Sequence, residues 1–326
     1  MSETPQGLLA PGEMFGDFRV RKELGRGGMG MVYLLEDEET GANYAAKILY
    51  PEAEIRDHKD AVGRFLREAE IAMAVEHPNL VHVYAVGRDP ETRLGYMIMD
   101  YLPGGSLHDL IMERLVRKQG PLPVRQSVAL VRQIASALCA IERSGVVHRD
   151  IKSENILFGE GGVAKLTDLG IAKRTNAGPK DVTLTLPNVM IGTPAYMSPE
   201  HLMDSKKADI RSDIYSLGIV LWEMLAGELP NAGLTTSELI AKAYSRKRIP
   251  DIRTKRPRLP RRIVLLLRKM TAPRPETRFQ HPEEILAFLD EYAERTRRNF
   301  QMFLASVAAI SSFVLLLAVW LLLRAH

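Results

Sequence analysis

The chain has 326 residues, 46% hydrophobic and 26% charged, a balance that suits a globular core of more than one lobe and excludes a disordered chain. Its formal charge of +4 is too small to argue for nucleic acid as a partner, and most of the local excess of base lies towards the C-terminus. The one cysteine, Cys139, cannot form an internal disulfide; within the apolar run SVALVRQIASALCAI it reads as a small buried hydrophobe, which points to a reducing compartment.

Residues 1–17 mix Pro, Gly and acids without periodicity and read as a flexible N-terminal tail. No charged start with an apolar core behind it is present, so no signal peptide is expected. From Phe18 to Leu49 apolar and polar residues alternate around glycine turns, the pattern of strand, turn, strand, turn, strand. Gly25, Gly27 and Gly30 give GxGxxG followed by Val32, and hydrogens at those positions allow a backbone to fold down over phosphates. A dinucleotide fingerprint has the same spacing but needs a helix after it. Here MVYLLEDEETGANYAAKIL reads as two strands joined at Thr40-Gly41, which argues against that rival. Lys47 closes the third strand as Ala45-Ala46-Lys47, and DAVGRFLREAEIAMAVE behind it reads as a helix. Tyr96 to Leu102 is a buried-looking strand that turns polar before Pro103-Gly104-Gly105. From Ser106 to His148 the period is helical, broken once by PLP at 121–123.

His148-Arg149-Asp150-Ile151-Lys152-Ser153-Glu154-Asn155 carries the chemistry. Transfer of a phosphoryl group to a hydroxyl needs a carboxylate facing the hydroxyl, a cation on the γ-phosphate and oxygen ligands for a metal ion. Asp150, Lys152 and Asn155 supply one of each. Asp168-Leu169-Gly170 follows, and then Gly192-Thr193-Pro194-Ala195-Tyr196-Met197-Ser198-Pro199-Glu200. The remaining segments to residue 293 have helical period, apart from the basic, proline-broken run RTKRPRLPRR at 253–262, which reads as a solvated loop.

In that order, from LGRGGMGMVY through HRDIKSENIL to SPE, the set resembles the eukaryotic-like (Hanks-type) serine/threonine protein kinases of bacteria, over about residues 18–293. The resemblance implies an α+β fold, bilobal, with a small antiparallel β-sheet N-lobe (18–98) carrying one helix, a hinge (99–105) and a mainly helical C-lobe (106–293). It implies ATP and Mg2+ as cofactors, with Mn2+ as an alternative metal, and Ser/Thr hydroxyls of proteins as acceptors. By the same resemblance Asp150 orients the acceptor hydroxyl, Lys152 meets the γ-phosphate, and Asn155 and Asp168 hold the metal, Leu169 standing where Phe is commoner. Lys47 takes the α- and β-phosphates and pairs with Glu68, Glu70 being the alternative. Leu24, Gly25, Gly27, Gly30, Val32 and Ala45 enclose the nucleotide, Met99 is the gatekeeper, and the backbone of Asp100 and Leu102 reads the adenine edge. Thr193 and Lys152 are features of the serine/threonine branch, and Thr193 belongs to the substrate-docking segment. Glu200 is expected to pair with Arg278, and Asp213 to hold the backbone of the loop containing His148 and Arg149. Ser153 stands where many relatives have Pro. Arg149 brings a positive charge towards the activation segment, for which phosphate on Thr183 or Thr185 would be a partner. The reading from another class is a pseudokinase scaffold, but such proteins commonly lose Lys47, Asp150 or Asp168, and all three stand here.

Residues 302–323 carry no charge, and as a helix they would be about 33 Å long against a hydrocarbon core of roughly 30 Å. The expectation is a basic juxtamembrane segment at 294–301, a single transmembrane helix at 302–323 and a short outer tail at 324–326. Arg295, Arg297 and Arg298 precede the span, so the kinase domain is expected on the cytoplasmic side of a cell membrane with the C-terminus outside, inserted after translation and with no outer sensor domain. Ala305 with Ala309, and Ala308 with Ser312, are small residues four apart, the spacing that lets two helices approach as a homodimer.

Overall fold

The computed structural model describes residues 8–27, 30–50, 69–90, 92, 94–169 and 193–324; within the last of these the side chains of Thr193, 314–319 and 321–324 are outside the description. Two lobes meet at a short connection. The first is a six-stranded sheet of β1 (Met14–Phe15), β2 (Phe18–Arg26), β3 (Gly30–Asp37), β4 (Asn43–Leu49), β5 (Val83–Arg88) and β6 (Gly95–Asp100), in the order β1-β2-β3-β4-β6-β5 with every neighbour antiparallel. The period of two sorts its side chains onto two faces. Ala46, Ile48 and Ile98 join Val20, Met31, Tyr33 and Leu35 on one face, whereas Ala45, Leu49, Met97 and Met99 join Val81 and Val83 on the other. Lys47, between Ala46 and Ile48 in the chain, therefore projects from the same face as Ala45 and Met99, towards the second lobe.

That second lobe is built on α1 (Leu107–Val116), α2 (Val124–Arg143), the short hairpin β7 (Ile156–Phe158) and β8 (Ala164–Leu166), then α3 (Pro199–Met203), α4 (Ile210–Ala226), α5 (Thr236–Tyr244), α6 (Arg261–Met270) and α7 (Pro282–Arg324). α4 is buried along almost its whole length, from Ser212 to Leu225, and α2, α6 and the first turns of α7 pack around it. Gly218 lets Met270 and Thr271 lie against it: a Cβ there would stand 2.7 Å from the Thr271 methyl. Cys139 is buried in α2, and burial, assisted by Glu283, pushes its thiol up to about 12, which keeps it protonated and inert.

Three sequence expectations change. Residues 8–15 are not a tail: Leu9 and Phe15 are buried against the sheet, β1 pairs with β2, and the Leu9 N–H donates to the Tyr33 hydroxyl at 3.1 Å. The physical reason is that the outer sheet face around Val20 and Tyr33 is apolar, and these residues cover it. The basic run 253–262 is largely held in place, with Arg253 on Asp251, Lys255 on Glu228, Arg262 on Glu291 and Arg256 donating to the Leu122 carbonyl. The segments expected at 294–301 and 302–323 share one helix with the end of the second lobe, since α7 runs unbroken for 43 residues from Pro282 to Arg324. No Gly or Pro follows Pro282, so nothing in the sequence stops the helix at 294 or 302. Among the described residues no helix is long and apolar enough to cross a membrane. Along the described part of α7, Phe300, Met302, Phe303, Ile310 and Phe313 are exposed apolar side chains.

An ion pair closes the base of the second lobe. Arg278 Nη1 and Nη2 donate to Glu200 Oε1 and Oε2 at 2.6 and 2.8 Å, and the guanidinium lies 4.9 Å from the centre of the Tyr215 ring. Burial pushes the Glu200 carboxyl up, but the Arg278 bonds outweigh it and hold the group below its ordinary value. Its contribution to stability is therefore present above pH 4.5 and lost as pH falls through the lowered value. Arg278→Met should cost about 3–5 kcal/mol near neutrality, because the Glu200 charge stays buried without its partner. Urea unfolding should show the cost shrinking in acid, where Glu200 is protonated; an equal cost at both pH values would contradict the assignment.

Candidate active site

The cleft between the lobes is lined from above by β2 to β4 and from below by the loop before β7. Gly27 N–H donates to the Gly30 carbonyl at 2.9 Å and closes the turn between β2 and β3. A Cβ on Gly30 would sit 2.1 Å from the Ile48 oxygen, so this glycine is fixed by the close approach of β4. Gly25 instead faces open space, and a Cβ on Gly27 would make an ordinary contact, 3.8 Å from the Gly30 oxygen. Val32, Ala45, Met99 and Leu102 gather in one apolar cluster beneath that turn, and Leu24 at its edge is exposed. Asp100, at the end of β6, accepts from Lys165 Nζ at 2.7 Å and from the His82 N–H, which binds the connection between the lobes to β8. Gly104 packs where a Cβ would lie 2.7 Å from Phe158, so the connection is also pinned to β7.

Below the cleft, the backbone of residues 148–155 is organised by Asp213 on α4. Its carboxylate accepts from His148 N–H at 2.7 Å and from Arg149 N–H at 2.8 Å. Both donors are needed because Arg149 has φ of 67°, a left-handed conformation that a non-glycine residue holds only under constraint. His148 is fully buried, with Nε2 donating to the Thr167 carbonyl at 3.1 Å and Nδ1 accepting from the Asp150 N–H at 3.3 Å; those two bonds require the neutral ring protonated on Nε2. The loop thus presents Asp150, with Lys152 Nζ 3.7 Å from its Oδ2. Asn155 Nδ2 donates to the Asp150 carbonyl at 2.8 Å and to its Oδ2 at 3.2 Å, which leaves the Asn155 Oδ1 as a ligand oxygen. The Asn155 carbonyl accepts from Thr167 N–H, so Asp168, itself at φ of 57°, follows directly beside it. Asp168 Oδ1 meets Lys47 Nζ at 2.7 Å, a half-exposed pair that joins the two lobes across the cleft.

The oxygen set of Asp168 and Asn155 is the kind a hard divalent cation prefers. No group of three or more His, Cys, Asp or Glu that could hold a metal occurs among the described residues. Glu68, Thr183 and Thr185 lie outside the described residues. Glu70, the alternative partner for Lys47, is exposed on the helical stretch 69–74. Thr193 is placed by its backbone in a 3-10 turn over 193–196.

A buried polar network beneath the loop had no expected role. Ser153, with no exposure, lies 2.9 Å from the Tyr196 hydroxyl and donates to Glu223 Oε1 at 3.2 Å, while Tyr196 donates to Glu223 Oε2 at 2.8 Å. His108 Nδ1 stands 3.9 Å from the same carboxylate, and the nearness of Glu223 raises the imidazole's pKa above its ordinary value against the pull of burial. The departure of Ser153 from Pro was the available signal: a hydroxyl at a fully buried loop position needs a partner. The network ties the loop to residue 196 and to α4.

Comparison with known proteins agrees with this geometry. The family described as "Protein kinase domain" matches residues 18–288. The chain is 33% identical over 294 residues to the probable serine/threonine-protein kinase PknB of Lactococcus lactis, covering 90% of this chain and 44% of that protein. It is 32% identical over 296 residues to the serine/threonine-protein kinase PrkC of Bacillus subtilis, covering 91% and 43%. The chain thus spans less than half the length of these relatives. The crystal structure of the Mycobacterium tuberculosis PknI kinase domain superposes with a TM-score of 0.67 at 27% identity, covering 88% of this chain and 99% of that one.

Two substitutions test the supports of the loop. Burial pushes the Asp213 carboxyl up to about 7 from 3.8, against the pull of the two N–H donors. A raised carboxyl contributes stability that is full below its ordinary value and lost as pH rises through the folded one, so Asp213→Asn should flatten that part of the stability profile between about pH 4 and 7. Thermal unfolding across the range checks it. Tyr196→Phe should cost about 1–3 kcal/mol by removing a donor from the buried Glu223 carboxylate, measured by urea unfolding; a cost near zero would show that the network does not hold the loop.

Proposed function

This chain belongs to the protein kinase family, and we propose that it transfers the γ-phosphoryl group of ATP to serine and threonine hydroxyls of proteins. The observation that carries the reading is the meeting of Lys47 with Asp168 at 2.7 Å directly beside the loop of Asp150, Lys152 and Asn155. In the proposed reaction the acceptor oxygen bonds to the γ-phosphorus as the bond to the bridging β,γ-oxygen breaks, the hydroxyl proton passes to Asp150 Oδ2 and ADP leaves. Lys152, beside Asp150, is placed to offset charge on the transferred group, and Lys47 to hold the α- and β-phosphates once they compete for it with Asp168. Asp168 and Asn155 would hold Mg2+, or Mn2+ in its place, which supplies charge neutralisation across the β- and γ-phosphates. The adenine would lie among Val32, Ala45, Met99 and Leu102, with Leu24 over it and the backbone of Asp100 and Leu102 at its edge.

Activity is set, in this reading, by phosphate on Thr183 or Thr185 pairing with Arg149. The serine/threonine names of the relatives and the presence of Lys152 and Thr193 support Ser/Thr as the acceptor class. The uncharged stretch 302–323 and the exposed apolar side chains of α7 support attachment to a membrane, with the catalytic lobes on the side of Arg295, Arg297 and Arg298 and the small residues at 305, 308, 309 and 312 available for pairing of two copies.

Incubation of the chain with Mg-ATP, followed by mass spectrometric mapping, should place phosphate on Thr183 or Thr185 in the unaltered protein and none in Asp150→Asn. Absence of phosphate on the chain and on a generic Ser/Thr acceptor, with ATP still bound, would favour the pseudokinase scaffold instead. Flotation with liposomes should carry the chain to the lipid fraction; recovery in the lipid-free fraction would remove the membrane reading.

A further inference from the structure

Residues 194–199, α3, α4 and α5 line a shallow, open groove on the second lobe, away from the cleft that holds Asp150. Its floor is apolar, made by Tyr215, Leu239 and Ala243, all buried. Its polar lining includes Lys242, Lys247 and Asn231, and among the described residues no acidic one lines it. Lys242 Nζ rests on a neutral partner, the Asn231 Oδ1 at 2.5 Å. Arg246, Lys247 and Arg248 follow at once on the turn after α5 and are exposed, and among the described residues none of these four cations lies in an ion pair.

The acids nearby are occupied elsewhere. Glu238 stands one helical turn before Lys242 on α5, the spacing of an i,i+4 pair. Its carboxylate instead turns back to the helix start, accepting from the Thr235 N–H at 2.7 Å and hydroxyl at 2.8 Å. Glu228 is held by Lys255, and Asp251 by Arg253 and Arg268. This contrasts with the basic run 253–262, where most cations have partners. Burial and the like charge of Lys247 both hold the Lys242 ammonium below its ordinary range. The charge of an anion at the mouth of the groove would counter both by favouring the ammonium form.

We propose that this groove docks an acidic segment of the protein substrate, with an apolar side chain seated on Leu239 and Ala243 and adjoining carboxylates on Lys242 and Lys247. The inference rests on the kinase reading and deepens it by naming the substrate class. Residues 194–197 form one wall, so a segment held there passes beside the stretch expected to dock the acceptor. The charge complementarity decides for an acidic peptide over a purely apolar one, because an apolar occupant would leave Lys242 half-buried with its like-charged neighbour and no counter-charge.

The test measures binding by fluorescence anisotropy of the full chain in neutral detergent, without ATP. Two labelled peptides share a Ser acceptor and a Leu anchor and differ only in a following run of Glu or of Gln. The Glu peptide should bind about tenfold more tightly at low ionic strength, with the advantage shrinking as salt is added. Lys242→Gln with Lys247→Gln should remove the advantage while leaving the Gln peptide's affinity as it was, which also shows that the double variant is folded. Lys247→Glu, at an exposed position, should reverse the preference. Equal affinity for the two peptides in the unaltered chain, persistence of the advantage in the double variant, or equal displacement of both peptides by anionic vesicles would overturn the proposal. A chain that discriminates the peptides but phosphorylates neither keeps the acidic docking site and loses the kinase function; one that phosphorylates both with equal affinity does the reverse.

Discussion

Two backbone N–H groups, those of His148 and Arg149, point at one buried carboxylate on α4, and the geometry of the cleft follows from that contact. Asp213 is 1% exposed, so its charge is tolerated only because the donors are aimed at it, and the donors are aimed only because Arg149 holds a left-handed backbone conformation. The bend hands His148 to the Thr167 carbonyl and Asp150 to the cleft, and through Asn155 it fixes Thr167, next to Asp168 beyond the end of β8. α4 pays for the position of a loop it does not belong to. The same helix supplies Glu223 to Ser153 and Tyr196, so one element anchors the loop from two directions.

Much of this was legible in the sequence because the chemistry demands fixed residue types at short spacing. The glycine turn, Lys47, HRDIKSEN and Asp168 could be singled out without coordinates, whereas the face from which Lys47 projects came from the packing of Ala45, Ala46 and Ile48. The long-range partners of Asp213 and Glu200 were carried by the resemblance, and the cost of an unpaired buried charge marked both acids as structural. What the sequence hid was packing without a period. Leu9 and Phe15 lie in a stretch with no alternation, and only the apolar outer face of the sheet, assembled from distant strands, gives them a place. The Ser153, Tyr196 and Glu223 network was hidden for a related reason: each is unremarkable alone, and 70 residues separate Ser153 from Glu223.

Gly30 shows how one residue carries two readings. Its spacing with Gly25 and Gly27 suggested room for phosphates, whereas its immediate constraint is the backbone of β4, 2.1 Å from where a Cβ would stand. Gly25 keeps the open space that the phosphate reading needs. At the other end of the chain, α7 begins as a core helix, with Ile285 and Leu289 fully buried, and continues as a helix whose apolar side chains are exposed. A uniform helix with two environments explains why a boundary drawn at a change of composition did not coincide with a boundary of structure.

The dependence of phosphoryl transfer on the Asp213 anchor is the most direct test of this account, measured as initial rates on a Ser/Thr peptide with Mg-ATP varied, for the unaltered chain and Asp213→Asn. The account predicts transfer by the unaltered chain and a kcat at least about tenfold lower in the variant with the KM for ATP little changed, because the anchor positions Asp150 and not the nucleotide-binding face of the sheet. No transfer by the unaltered chain, or the same kcat in both, would contradict it.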